Sequence, residues 1–353
     1  MRKINKKEFN KIIAFANEQF NLDFATYLPR LYSDDKNYKY HYIYEVNHEL
    51  WGMFLAKPLK YGRLKLLGLG TVCVDKGHRN KGVMQEMFNF IVEDLEPNYD
   101  IIYLSGDKAR YEKFGYYKSG AKCILRLKAK NFFDLDITNV AVFDISNDIE
   151  KLDTVDLAVK KAFRSQDSLN DILKKADHNV YLVKENKDVS YAIYNKIANE
   201  VVELIGNINE KKVLKALLKE NNKEDIYYSL DVKKAKALYN YADNYGITNF
   251  VNLKVVNYQK VISELLLAVK DKKNGSLELR FVDKTLKITF KGKNVKVIMT
   301  EEVNEVYFTE QEIIDILFGN INFVSGKIDL DLNLVASWFP LPLPSTLASI
   351  DGV

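Results

Sequence analysis

Apolar positions along the chain recur in two rhythms. Residues 38 to 57 alternate aromatic and polar side chains through Tyr40, Tyr42 and Tyr44, then run into Trp51-Gly52-Met53-Phe54-Leu55. That period of two predicts a pair of antiparallel strands. Leu64 to Asp75 predicts a longer strand, interrupted by Gly68 and Gly70. A polar loop follows. Met84, Met87, Phe88, Ile91, Val92 and Leu95 then recur at helical spacing until Pro97 and Asn98 stop the helix. Ile101-Ile102-Tyr103-Leu104 is fully apolar, as a strand in the buried middle of a sheet would be. A helical turn at Lys108 to Lys113 leads to Phe114-Gly115-Tyr116 and to a strand at Cys123 to Leu127. Strand, loop, helix, strand is a βαβ unit, so this segment reads as α/β.

From about 140 to 252 the layout repeats weakly. Helices are predicted near 151 to 163 and 167 to 175, followed by strands at Val180-Val183, Ser190-Tyr194 and Val201-Ile205. A helix at Lys211 to Leu218 and a strand at Ile226-Leu230 complete it. Its strand-to-helix loop, Gly206-Asn207-Ile208-Asn209-Glu210, carries Asn and Glu where the first loop has Arg79, Lys81 and Gly82. If the segment is an internal duplicate, its phosphate loop is gone. From Lys254 onward a helix (Val261 to Val269) precedes strands at Leu277-Phe281, Leu286-Phe290 and Val295-Met299. Val306-Phe308, a helix at Gln311 to Leu317 and a Pro-rich tail follow, an α+β pattern. A chain of 353 residues is too long for one ordinary core. The expected domains are 1–133, 134–253 and 254–353.

Composition narrows the function classes. Apolar residues at 47% and charged residues at 28% are ordinary for a soluble globular protein. A net charge of +4 is too small at this length to argue for nucleic acid or an anionic membrane. The two cysteines, Cys73 and Cys123, lie in apolar strand-like stretches without a CxxC or Cys/His partner, which reads as buried thiols in a reducing compartment. Four scattered histidines give no metal site. The basic N-terminus lacks the apolar run of a signal peptide. The longest uncharged stretch, Leu332 to Ile350, contains Pro340, Pro342 and Pro344 and would not continue as a spanning helix. A cytoplasmic protein is expected.

The informative stretch is Val72-Cys73-Val74-Asp75-Lys76-Gly77-His78-Arg79-Asn80-Lys81-Gly82-Val83-Met84. It joins a strand to a helix start, where backbone N–H groups lack partners and the helix dipole is positive. An oxyanion such as pyrophosphate satisfies both. Gly82 lets the backbone approach it, and Arg79 and Lys81 add complementary charge. By spacing alone the loop reads more readily as a solvated basic surface than as a phosphate site.

Arg79-x-x-Gly82-x-Met84 resembles the acyl-CoA loop of the GNAT superfamily of N-acetyltransferases. Tyr111-Glu112-Lys113-Phe114-Gly115-Tyr116 resembles that superfamily's Tyr-x-x-Phe-Gly-Phe/Tyr signature. The superfamily usually has Gly or Ala where this chain has Met84. Arg-x-x-Gly-x-Met/Leu, a second GNAT-like domain without a working loop and a C-terminal domain similar to sterol carrier protein 2 together resemble the enhanced-intracellular-survival type. The resemblance implies two tandem mixed-sheet α/β domains and a sterol-carrier-protein-2-like α+β domain. It implies acetyl-CoA as acetyl donor, a primary amine acceptor (an aminoglycoside-like polyamine or lysine) and a homo-oligomer; the charge balance adds the expectation of no nucleic acid or membrane partner. Val72, Cys73 and Val74 would face the pantetheine arm. The N–H groups of Arg79, Asn80, Lys81, Gly82, Val83, Met84 and Gln85 would hold the pyrophosphate, and Ser105 and Gly106 would flank the thioester. Tyr111 would act as general acid, and the carboxylate of Val353 as base. The competing expectation is a lipid-binding or small-molecule-binding protein with a degenerate first domain.

Overall fold

The structure, a computed structural model, describes residues 1–106, 108–147, 177–282, 284–301, 308–319 and 331–343. The first six strands, β1 (Arg2–Lys3), β2 (His41–Val46), β3 (Glu49–Tyr61), β4 (Leu64–Val74), β5 (Ile101–Leu104) and β6 (Tyr117–Ser119), belong to one sheet. The next seven form a second: β7 (Lys122–Lys128), β8 (Val140–Asp144), β9 (His178–Glu185), β10 (Asp188–Asn195), β11 (Glu200–Gly206), β12 (Asp225–Asp231) and β13 (Ala242–Thr248). β14 (Val251–Val255) then returns to the first sheet, between β5 and β6. The spatial orders are β1-β2-β3-β4-β5-β14-β6 and β13-β7-β12-β11-β10-β9-β8. Each sheet contains a parallel pair, β4 with β5 and β11 with β12.

Strand membership therefore crosses the boundaries expected at 133 and 253. β7 pairs with β12 and β13, and its Cys123, Leu125 and Leu127 are buried in the second core. β14 pairs with β5 and β6, and its Val251, Leu253 and Val255 are buried against the third part.

The first sheet is a middle layer, because alternate side chains along a strand go to opposite faces. Phe54, Leu67, Leu69 and Ile102 meet Met87, Phe88 and Ile91 of the helical segment that begins at Val83. On the other face Met53, Leu55 and Cys73 meet Ile12, Ile13 and Ala16 of helix α1 (Phe9–Phe20). Further along that face Leu64, Leu66, Ile101 and Tyr103 meet Val261, Ile262 and Leu265 of the helix Tyr258–Ala268. Buried at both faces, the sheet can hold a cleft only at the strand ends.

Two short helices, α2 (Phe24–Tyr27) and α3 (Pro29–Tyr32), follow α1; none of the three has a counterpart in the sequence reading. The third part is an antiparallel sheet, β15 (Gly275–Phe281), β16 (Lys284–Lys291) and β17 (Asn294–Thr300), with helices Tyr258–Ala268, Glu310–Phe318 and Leu332–Trp338. Of Val306–Phe308 only Phe308 is described, in a single bridge to Phe281. The last of these helices lies at the start of the Pro-rich tail. Asp331 caps it, and Trp338 is fully buried, its indole N–H donating to the Lys273 carbonyl at 2.8 Å. Lys260 reaches Asp100 at 2.7 Å and Lys254 reaches Glu96 at 2.6 Å, joining the third part and β14 to the β5 entry loop. The helices expected near 151–163 and 167–175 lie outside the described residues. Among the described residues no helix is long and apolar enough to cross a membrane.

Candidate active site

β4 and β5 pair in parallel from Leu66↔Ile101 to Leu69↔Leu104 and no further. β4 continues to Val74 against β3 alone, so a gap opens between Gly70–Val74 and Ser105–Gly106. Ser105 and Gly106 are exposed on its far side. Just past the last parallel pair β4 bulges. Met53 faces Cys73 and Leu55 faces Gly70, so Phe54 alone stands opposite Thr71 and Val72. A bulge frees one backbone unit from the ladder and bends the strand. Thr71 carries it at φ +44°, a left-handed conformation that a β-branched residue adopts only at a cost of about 1–3 kcal/mol. The Tyr32 hydroxyl, at the end of α3, shares a 2.8 Å hydrogen bond with Thr71 Oγ1.

The loop beyond β4 is braced from within. The Asp75 carboxylate accepts from Gly77 N at 2.8 Å and His78 Nδ1 at 2.9 Å, and the His78 bond holds that carboxyl below its usual range. His78 stacks on Trp51 at 4.2 Å, with Glu49 3.7 Å from its Nε2. Lys81 Nζ lies 5.5 Å from the Trp51 ring, and Arg79 Nε makes a long 3.5 Å contact to the Val74 carbonyl. Arg79, Asn80, Lys81 and Gly82 are all exposed.

Helix α4 (Val83–Phe90) starts at Gly82, which has φ +79° and no side chain capping the helix. Its first-turn N–H groups, on Val83, Met84 and Gln85, have no intrahelical acceptor by geometry. A Cβ on Gly82 would meet nothing within 4 Å, so the space before those amides is open. Residues Arg79 to Gln85 thus present a positive helix end, two cations and room for an oxyanion. Met84 is half-buried and packs on the core beneath the helix, with Val72 and Val74.

Tyr111 closes the other side. It ends the helical turn α5 (Lys108–Tyr111) and is 7% exposed. Its ring lies so close to Gly106 (φ +133°) that a Cβ there would come within 2.9 Å of Cε2. Phe88 of α4 stacks on Phe114 at 4.0 Å and touches the rings of Tyr111 (6.0 Å) and Tyr116 (5.6 Å). The aromatic motif therefore locks α5 to α4. Asn252 of β14 donates to the Gly106 carbonyl at 3.0 Å, while its Oδ1 is buried with no partner among the described residues.

The two expected clusters, loop and Tyr111, thus flank one gap at the C-terminal end of the parallel pair. Cys73 lines β4 but turns to the α1 core; burial pushes its thiol up to about 12, which removes it as a nucleophile near neutral pH. Val353, the expected base, lies outside the described residues. The acids Asp34, Asp35 and Glu45 are engaged within the fold. Asp34 caps the 3-10 turn that follows it, Asp35 lies 3.0 Å from Lys6, and Glu45 lies 3.1 Å from Arg2. Among the described residues no group of three His, Cys, Asp or Glu side chains gathers to hold a metal. Thr71, Tyr32, Trp51, His78 and Asn252 carried no functional signal in the sequence, because each acts through a neighbour supplied by the fold.

No family model and no curated protein matches this chain. Solved structures do. A GCN5-related N-acetyltransferase from Kribbella flavida superposes with a TM-score of 0.68 at 13% identity, covering 97% of this chain and 96% of that one. Eis1 from Mycobacterium abscessus gives 0.67 at 13%, covering 97% and 98%. A conserved protein of unknown function from Enterococcus faecalis gives 0.67 at 15%, covering 95% and 94%. At these identities the likeness is one of fold, and it runs the length of the chain.

Proposed function

We propose that this protein transfers the acetyl group of acetyl-CoA to a primary amine. The observation that carries the reading is an uncapped helix end at Gly82 that shares its gap with a splayed pair of parallel strands and with Tyr111. The residues present fit the donor. Gly82 to Gln85 offer main-chain N–H groups to a diphosphate, Arg79 and Lys81 add charge, and the free edge of Val72 to Val74 offers an extended arm backbone partners. In this scheme amides of the bulge at Thr71 and Val72 would receive the thioester carbonyl as it develops negative charge. Tyr111 is the acid of this scheme. A phenol is protonated at neutral pH and can donate to a leaving thiolate whose conjugate acid is near 8.5. A neutral amine attacks directly, since Cys73 is inert and no acyl-enzyme is needed. The enhanced-intracellular-survival type, with a third part similar to sterol carrier protein 2, a base at Val353 and a homo-oligomeric assembly, completes the reading.

Incubation with acetyl-CoA and a panel of aminoglycosides, polyamines and lysine peptides, read as thiol release, tests it. Amine-dependent release is expected. Absence of release, together with no calorimetric binding of acetyl-CoA, overturns it.

A further inference from the structure

The bulge in β4 is the position on which acetyl recognition would turn, and its conformation is not one that its sequence prefers. Bulges that need a residue at positive φ ordinarily place glycine there, because a Cβ is disfavoured. This chain has glycines at 68 and 70 but threonine at 71, the residue that holds φ +44°. Something must hold Thr71 in place, and one side chain contacts it in a directed way. Tyr32 is 3% exposed and shares its hydroxyl with Thr71 Oγ1 at 2.8 Å. Its own ring is fixed by Phe24 at 4.9 Å and by His41 at 5.5 Å. Burial raises the Tyr32 pKa, so the phenol remains neutral and keeps the bond at all ordinary pH values.

We infer that Tyr32 is a positioning residue for acetyl transfer: through Thr71 it fixes the bulge amides that receive the acetyl carbonyl. This rests on the acetyl-CoA reading given above. Tyr32 ends α3, so the bond ties the short helices that follow α1 to the strand that borders the gap. Without it the bulge is free to relax towards ordinary strand geometry, turning its amides away from the gap. The diphosphate site at Gly82 lies beyond the Asp75–His78 brace and would be unaffected.

Coenzyme A and acetyl-CoA differ by the acetyl group alone, so their affinity ratio isolates the bulge. Calorimetry on the full chain is expected to show Tyr32→Phe weakening acetyl-CoA by about threefold to tenfold, the worth of one hydrogen bond, while coenzyme A changes by less than about twofold. Thr71→Ala, which keeps the Cβ and loses the hydroxyl, is expected to match it, and Thr71→Ser to restore the wild-type ratio. In a Thr71→Gly background, where positive φ needs no clamp, Tyr32→Phe is expected to leave the ratio unchanged. Equal weakening of both ligands in Tyr32→Phe and Thr71→Ala, or an unchanged ratio in both, overturns the positioning role. If Tyr32→Phe fails to fold, the Thr71 series decides alone. Should the wild-type chain bind neither ligand, the acetyl-CoA reading itself falls, and with it this role for Tyr32.

Discussion

At β4 and again at β11 the chain leaves a parallel pair of strands, turns through a short polar loop and enters a helix. At β11 the parallel pairing is brief, Glu200↔Tyr227 and Val201↔Tyr228. Every feature that is open at the first loop is filled at the second by the chain itself. Asn209 caps the helix Glu210–Glu220, accepting from Lys211 N at 3.0 Å, where Gly82 caps nothing. Ile208 N donates to Ser190 Oγ at 3.1 Å, and Asn207 spans Val189 N and Asp188, both at 2.8 Å. Glu210, in the first helical turn, accepts from Tyr228, and the buried Glu203 accepts from Tyr191. A carboxylate at a helix N-terminus already satisfies the dipole and repels a phosphate. A helix end binds an anion when it has been left unsatisfied, so the same local fold yields a candidate site in one place and a scaffold in the other.

The contrast can be broken most severely at Tyr111. Tyr111→Phe keeps the ring packing against Gly106 and Phe88 and removes the proton donor. Turnover is expected to fall about a hundredfold or more with little change in acetyl-CoA binding, measured by steady-state thiol release and calorimetry. Next comes Gly82→Asp, which puts a carboxylate at the open cap of the first helix, where the second has the capping Asn209. Acetyl-CoA affinity is expected to fall about a hundredfold by loss of amide contacts and charge repulsion, while thermal unfolding shows the fold retained. The reciprocal test is Asn209→Ala, which uncaps the second helix. It is expected to cost about 1 kcal/mol in denaturant unfolding and to leave acetyl-CoA binding unchanged. A binding change there would mean that the two loops are not independent. The smallest effect is expected from Arg79→Ala, about a fivefold loss of acetyl-CoA affinity that shrinks as salt rises, because the side chain is exposed. An effect indifferent to salt would assign Arg79 to loop structure through its contact with Val74 instead.

The α4 loop and the aromatic motif were legible because their signals are local. Gly82 ahead of a 3.6-residue apolar repeat fixes a helix start, and Phe88, Phe114 and Tyr116 pack within thirty residues of one another. The region 9–32 was missed. α1 does carry a helical repeat, burying Phe9, Ile12, Ile13 and Ala16, which the sequence reading passed over, and α2 and α3 are single turns held by Asp23, which caps Ala25 and Thr26, and by Pro29. Thr71 gave no warning of its bulge, since nothing in Gly70-Thr71-Val72 demands positive φ until Tyr32 is beside it.

The sequence by itself determined the strand, loop, helix and strand from Leu64 to Leu104, the oxyanion-ready helix end and the emptied loop of the second unit, because each depends on residues a few positions apart. Tertiary structure decided which strands share a sheet. β7 pairs with residues about a hundred positions away, Lys122 with Asp231, and β14 comes back to meet β5, Asn252 opposite Leu104. Both strands alternate or run apolar in a way that fits either sheet, and hydrophobic period reports that a face is buried without naming the partner that buries it. Only the packed chain could bring Asn252 to Gly106 and Tyr32 to Thr71.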